Sequence, residues 1–361
     1  MDSEHIAAMN ANLARLFRAG LRVTFGSPRR LAFALRTLLA QKLAVRRRAR
    51  WERMGVHVPP YLIVSVTARC NLRCRGCYAR AHGRSPDGEL PLARLGEILA
   101  EAEDLGSSVV FLAGGEPFLR PGILDLTGER RRTLFPVFTN GLLIDDGIIA
   151  RLRRQPHVVP VVSLEGHEAA TDARRGRGVY RRVREVIARL GAAGVLCGVS
   201  LTVTRGNFAA VTDPDFVRAF KDAGCGVFFF VEYVPVAPGT GGLVLDGGQR
   251  AELIRRAETL QERLKVLCIP FPGDEGPYGG CLSAGRGFVH VAPDGGLEPC
   301  PFAPFSDASL KKTSLKEALR SGFLRTLREN HSLLTESDGG CALWTNRAWV
   351  ESLLADPPVG A

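Results

Sequence analysis

Cys70-Asn71-Leu72-Arg73-Cys74-Arg75-Gly76-Cys77 follows directly on the apolar, β-rich run Tyr61 to Thr67. Three of the chain's nine cysteines thus fall within eight residues, on a loop that leaves a strand. Soft thiolates select iron–sulfur clusters or zinc, and the spacing by itself leaves both open. Three thiolates on a four-iron cluster leave one iron free to bind a small molecule and pass it an electron. His82, five residues beyond Cys77, would instead complete a Cys3His zinc site.

The 361 residues can bury a substantial core, and 45% hydrophobic with 24% charged residues is the balance of a globular chain. The net charge of +11 suggests nucleic acid until it is located. Residues 1–50 hold eleven Lys or Arg against only Asp2 and Glu4, so nearly all the excess belongs to that end. No recognition motif accompanies it, and nucleic acid is not an expected partner. No apolar run approaches the roughly 18 residues of a membrane span. Arg15, Arg18 and Arg22 interrupt any hydrophobic signal core, which predicts a cytoplasmic protein whose cysteines bind metal rather than form disulfides.

The first fifty-odd residues read as two helices, the second starting at Ser27-Pro28 with Ser as N-cap and Pro at the first helical position. Leu31, Leu35, Leu38 and Leu39 recur at helical spacing, and Arg46-Arg47-Arg48 lies near the end. This basic segment reads either as a helical cap with a solvated rim or as a segment that docks peripherally on an anionic membrane or an acidic partner.

From Pro59 the strand candidates are Tyr61–Thr67, Val109–Ala113, Leu134–Thr139, Val158–Leu164, Val195–Thr204 and Val227–Val234. Helical patterns such as Leu92–Asp104, Ile144–Arg154 and Tyr180–Ala193 separate them. Nearly all-apolar strands alternating with helices predict a parallel sheet covered by helices, as an open barrel or a doubly wound sheet. Either places the reactive site at the strand C-termini. After about Leu264 the alternation stops, and a Gly/Pro-rich segment carries three more cysteines. The expected divisions are a basic helical extension at 1–58, a core at 59–264 and a small C-terminal extension at 265–361.

Motifs follow each strand in turn. The cysteine loop follows the first, Gly114-Gly115-Glu116-Pro117 the second and Thr139-Asn140-Gly141 the third; Ser163-Leu164-Glu165-Gly166 closes the fourth. Glu232-Tyr233 ends the sixth. Together, over roughly Pro59–Leu264, these residues resemble the radical S-adenosylmethionine (radical SAM) superfamily, whose CxxxCxxC motif matches Cys70, Cys74 and Cys77. The resemblance implies a partial (β/α)6 TIM-like barrel. It implies that Gly114, Gly115 and Glu116 form the turn that binds the methionine amino group. Ser163 and Glu165 match the position that meets the SAM ribose or carboxylate, with Glu where many relatives have Asp, and Asn140 lies on the same rim. The residue before the last cysteine is usually aromatic in this family; here it is Gly76, followed by Cys77 and Tyr78. On this reading His82 reverts to a loop residue. Arg175 is a candidate for a carboxylate of SAM or substrate, or a solvated charge.

Cys281-Leu-Ser-Ala-Gly285 and Gly295-Gly-Leu-Glu-Pro-Cys300 resemble the opening half of the SPASM/twitch extension, which binds an auxiliary [4Fe-4S] cluster. Cys341, in Gly339-Gly340-Cys341, is the natural third ligand, and Cys268 is a candidate for the fourth. Cys197 and Cys225 read as ordinary buried thiols.

The resemblance therefore implies an enzyme that binds SAM at a [4Fe-4S] cluster, cleaves it reductively to a 5′-deoxyadenosyl radical and abstracts hydrogen from a substrate. A reducing partner such as flavodoxin or ferredoxin is implied. Glu232 and Tyr233 are candidate proton-moving residues. Peptide-modifying relatives frequently carry a winged-helix domain, which 58 basic helical residues do not resemble, so a small-molecule or lipid-like substrate is expected ahead of a ribosomal peptide. A noncatalytic iron–sulfur or zinc-binding protein is the reading from another class.

Overall fold

The computed structural model describes residues 3–24, 28–236, 238–271, 280–334 and 341–355. Two helices, α1 (Ser3–Thr24) and α2 (Pro28–Arg53), precede the alternating part of the chain. Strands β1 (Tyr61–Ser65), β2 (Val109–Ala113), β3 (Phe135–Thr139), β4 (Val158–Leu164), β5 (Cys197–Val203) and β6 (Cys225–Glu232) lie within the six expected runs or within two residues of them. Between them come α3 (Tyr78–Ala81), α4 (Leu92–Leu105), α5 (Ile123–Glu129), α6 (Asp146–Arg154), α7 (Glu168–Arg175), α8 (Val179–Ala192), α9 (Phe208–Val211) and α10 (Pro214–Asp222).

The sheet does not stop where the alternation does. After α11 (Gly247–Leu264), β7 (Leu267–Phe271) pairs parallel with β6, and β8 (Phe288–Val291) pairs parallel with β1. The two-residue β9 (Leu297–Glu298) runs antiparallel to β8. The order is β7-β6-β5-β4-β3-β2-β1-β8-β9, an open barrel rather than a closed one. The expected boundary at 264/265 thus falls inside the sheet. A Gly/Pro-rich segment instead of a helix separates these two strands, so the local sequence does not continue the alternation. The C-terminal helices are α12 (Leu315–Ala318), α13 (Gly322–Glu329), α14 (Ala342–Thr345) and α15 (Arg347–Ala355).

Every strand from β1 to β6 is largely buried, as expected of a parallel sheet covered on its outer face. Inside the barrel, Phe111, Phe138 and Phe229 from β2, β3 and β6 meet with ring centroids 5.1–6.1 Å apart. A buried chain joins the first strand to the last two: Ser65 Oγ lies 2.8 Å from His290 Nε2, and His290 Nδ1 lies 2.7 Å from Glu298 Oε2.

The N-terminal helices are part of this body. α1 packs on β7, and the Met9 methyl would lie 3.0 Å from a Cβ on Gly287, just ahead of β8. It therefore sits in the seam where the barrel fails to close. α2 packs on α1 and α4 through Gln41, Ala44 and Arg48. Arg48, expected in a solvated basic rim, is instead buried. It donates to the Gly106 carbonyl at 2.6 Å and to Asn10 Oδ1 at 2.8 Å, and burial lowers its pKa to about 10.

Arg48→Ala should leave the Gly106 carbonyl unsatisfied and cost about 1–3 kcal/mol. A lower thermal midpoint, with earlier proteolytic release of residues 3–53, is the expected outcome. An unchanged midpoint would mean that the helices are held by their apolar contacts alone.

Candidate active site

The cysteine loop is held by its neighbours' backbones. A Cβ on Gly115 would lie 2.0 Å from the Arg69 carbonyl oxygen, and one on Gly114 would lie 2.5 Å from that of Thr67. Only residues without side chains allow so close an approach. The closeness permits Gly115 N–H to donate to Thr67 at 2.7 Å and Glu116 N–H to donate to Arg69 at 2.8 Å. Underneath, Glu89 Oε1 accepts from Thr67 Oγ1 and from Ala68 N–H, both at 2.8 Å, and Arg120 pairs with its other oxygen at 2.6 Å.

Glu116 is fully buried, and its carboxylate is committed within the protein. It accepts from Phe118 N–H, from Thr139 Oγ1 at 2.7 Å and from Asn140 N–H at 2.7 Å, tying the β2 loop to the end of β3. Burial raises its pKa and these donors oppose the rise. Asn140 then reaches back to the cysteine loop, donating to Asn71 Oδ1 at 2.7 Å with Nδ2 4.0 Å from Cys70 Sγ.

At the end of β4, Glu165 Oε1 accepts from Arg175 Nε at 2.8 Å and Nη2 at 2.5 Å, and Arg174 Nη1 lies 2.7 Å from the same oxygen. Arg175 is therefore no solvated loop charge. Arg174 also clasps the cysteine loop, since its carbonyl accepts from Arg75 N–H and its Nε donates to the Arg75 carbonyl, each at 3.0 Å. Burial pushes the Cys70 and Cys74 thiols up, and Arg175 pulls Cys74 back down. Ser163 lines the cavity beside them.

The cavity has a volume of about 430 Å³. Its cysteine end is lined by Cys70, Cys74, Cys77, Gly114, Gly115 and Asn140. From there it follows the barrel interior past Phe111, Val161, Phe229 and Ile269 to Leu13 and Phe17 of α1 and Phe33 of α2. Glu232 and Tyr233 both line it. Glu232 is paired with Arg250 Nε at 2.9 Å, whereas the buried Tyr233 hydroxyl has no hydrogen-bond partner among the described residues. That hydroxyl would lie 2.8 Å from a Cβ on Gly76, so glycine there makes room for the tyrosine.

The donor set fits an iron–sulfur cluster with a bound organic ligand. Three thiols sit on a loop clamped from both sides, and the buried Glu165 Oε2 has no hydrogen-bond partner among the described residues. The zinc alternative fits poorly. His82 Nε2 bonds the Pro301 carbonyl at 3.0 Å, which commits one of the two ring nitrogens that a Cys3His site would draw on.

The second cysteine group lies alongside. Cys281 N–H donates to the Leu334 carbonyl at 3.3 Å, and Ala284 N–H donates to that of Pro299 at 3.0 Å, which brings the segments of Cys281 and Cys300 together. Cys341 is buried at the start of α14; Gly339 and Gly340 lie outside the described residues. The first loop is docked on this region, with the Tyr78 ring 5.1 Å from that of Phe302. Cys268 is not directed to either group. It alternates with the lumen-facing Leu267 and Ile269, bonds Gln261 of α11 through its backbone, and burial pushes its thiol up to about 12. Cys197 and Cys225 are buried partners on β5 and β6, with sulfurs 4.0 Å apart. Glu89, Arg174 and Tyr233's packing on Gly76 are the features with the least signal in sequence, because each acts across elements distant in the chain.

Residues 64–208 match the family model of the radical SAM superfamily. The AdoMet-dependent heme synthase of Methanosarcina barkeri is 24% identical over 77% of this chain and 87% of its own length. Mycofactocin maturase MftC of Mycobacterium ulcerans is 28% identical over 69% of this chain and 70% of its own. Among solved structures, Streptococcus suis SuiB bound to precursor peptide SuiA superposes with a TM-score of 0.63 at 18% identity, covering 92% of this chain and 79% of that one. Native anSMEcpe with bound AdoMet and a Cp18Cys peptide gives 0.59 at 14%, covering 82% and 98%.

Gly115→Ala should drive its methyl into the Arg69 carbonyl and displace the cysteine loop. Folded protein with markedly reduced iron after anaerobic reconstitution is expected. Gly206→Ala, where a Cβ meets nothing within 4 Å, should reconstitute normally. Equal iron in both variants would contradict the clamp.

Proposed function

This chain is a radical SAM enzyme with homologues of the SPASM/twitch type, and on that premise we propose that it abstracts hydrogen from an apolar, lipid-like small molecule held in the barrel. The cofactors are a [4Fe-4S] cluster with S-adenosylmethionine and an auxiliary [4Fe-4S] cluster. When bound, the first pair supplies a 5′-deoxyadenosyl radical after one-electron reduction by a flavodoxin- or ferredoxin-like partner.

Cys70, Cys74 and Cys77 would hold the first cluster, and Cys281, Cys300 and Cys341 the auxiliary one. Gly114 and Gly115 would offer backbone carbonyls to the ammonium of methionine. Glu116 keeps that turn in shape through Thr139 and Asn140, and Asn140 orients the cysteine loop. Ser163 and the unpartnered oxygen of Glu165 would accept the ribose or carboxylate end of SAM, with Arg174 and Arg175 compensating charge around them. Tyr233 is placed to hold or move a proton at the cysteine end. Glu232, fixed by Arg250, serves to position the strand end.

The observation that carries the substrate class is the cavity. Beyond its cysteine end the walls are mainly valine, leucine, isoleucine and phenylalanine, with Tyr61, Ser200 and Thr202 among the few polar groups. An alkyl chain needs none, whereas each peptide amide or carboxylate taken there would lose its water uncompensated. Such walls also exclude water from a radical. A second reading, modification of a ribosomally made peptide, draws on the mycofactocin maturase and on SuiB. It needs a peptide to enter from the cysteine end without filling the barrel.

Replacing Cys70, Cys74 and Cys77 together with Ala should abolish 5′-deoxyadenosine formation and leave about four of about eight irons. Persistent SAM cleavage in that variant would remove the cluster assignment. Cys281→Ala should lose the auxiliary irons while some uncoupled cleavage survives, and unchanged iron in soluble protein would contradict that site.

Ile269→Trp separates the two substrate readings. Bulk in the lumen should leave uncoupled SAM cleavage intact but prevent an apolar chain from stimulating it. Unaltered turnover of a peptide substrate by the same variant would favour the second reading.

A further inference from the structure

The outer face of α2 is apolar and basic at once. Leu31, Leu35, Leu39 and Leu43 follow one another every fourth residue, and they are 37%, 53%, 63% and 48% exposed. Lys42, Arg46, Arg50 and Arg53 continue the same face toward the C-terminus at spacings of three or four, all exposed. The opposite face is the one buried, through Phe33, Ala34, Gln41, Ala44 and Arg48. Four leucines in line on a helix already fixed to the body are more than scattered surface apolarity.

We infer that this face of α2 docks on an anionic lipid bilayer. Leucine side chains enter the acyl boundary while the cations, on long flexible stems, reach the phosphate level beside them. The charge complements anionic headgroups, since nearly all of the chain's net +11 lies in residues 1–50. A second copy is a poorer occupant. Parallel pairing of two such faces sets cations on cations, and antiparallel pairing sets them on leucines.

The buried face of the same helix gives the docking a purpose. Phe33 and Ala34 line the apolar cavity, so one helix separates the bilayer side from the lumen. Entry of a lipid-like substrate by this route rests on the function proposed above; the docking itself does not.

Vesicle co-sedimentation of the full chain tests the docking and needs neither cluster nor SAM, so its failure is distinct from failure of the catalytic reading. Binding to phosphatidylcholine vesicles containing phosphatidylglycerol is expected, with feeble binding to phosphatidylcholine alone and weakening by salt. Leu35→Glu with Leu39→Glu, and separately Lys42→Glu with Arg46→Glu, should each reduce binding by at least about tenfold. Both pairs lie outside the catalytic machinery, and iron content with thermal midpoint verifies their folding. Should the glutamate variants fail to fold, Leu39→Trp gives an independent reading, in which vesicles should blue-shift its fluorescence and brominated lipid should quench it. No binding by the parent chain, equal binding by the leucine pair, no spectral shift at position 39, or a dimer in solution that the leucine pair dissociates would overturn the proposal.

Discussion

The Arg69 carbonyl occupies the space where a side chain on Gly115 would begin, and the rest of the site depends on that contact. It fuses the loops after β1 and β2 into one unit, from which Glu116 reaches to β3 and Asn140 returns to Asn71. Arg174 closes the other side by exchanging two bonds with Arg75. Three thiolates can share one cubane only if the loop keeps a fixed shape. Here the protein's own backbone and carboxylate bonds set that shape. Bonds to charged carboxylates contribute about 1.5–3 kcal/mol each, so the loop holds its form through several independent ties.

Charge around the loop is balanced on the same economy of position. Three thiolates on this loop would concentrate negative charge where burial already disfavours it and raises the Cys70 and Cys74 thiols. Arg175 and Arg174 stand against Cys74 from α7, and Glu165 holds both guanidiniums in place. One oxygen of Glu165 is used to orient the arginines and the other has no partner among the described residues. A single carboxylate can thus fix the positive wall of the site and still offer an acceptor to a ligand.

Much of this was legible in sequence because it is local. Cysteine spacing, continuous apolar strands and glycines at strand ends are all written within short windows. β7 and β8 were not legible, since Leu267–Phe271 and Phe288–Val291 flank a Gly/Pro-rich segment instead of a helix and gain their meaning from β6 and β1. Glu89 supports the cysteine loop across twenty-odd residues, and Arg48 looks like any cation in a basic run until Gly106 is found opposite it. The leucines of α2 carried the converse difficulty. Helical spacing identifies a face, but whether that face meets protein or solvent is decided by Gln41, Ala44 and Arg48 on the other side.

An open barrel has to solve a problem that a closed one does not. Its lumen is lined by valine and phenylalanine, yet β7 and β9 leave a seam through which water could reach it. α1 fills that seam against β7 and Gly287, with Leu13 and Phe17 forming part of the cavity wall. The N-terminal helices therefore wall the cavity as the strands do. Radical chemistry requires exclusion of water and of stray hydrogen donors, and a mobile appendage could not supply it. Arg48 anchors α2 from within by bonding α1 through Asn10 and the end of α4 through Gly106. With the inner face so committed, the basic and leucine-rich outer face is left for whatever lies beyond the protein.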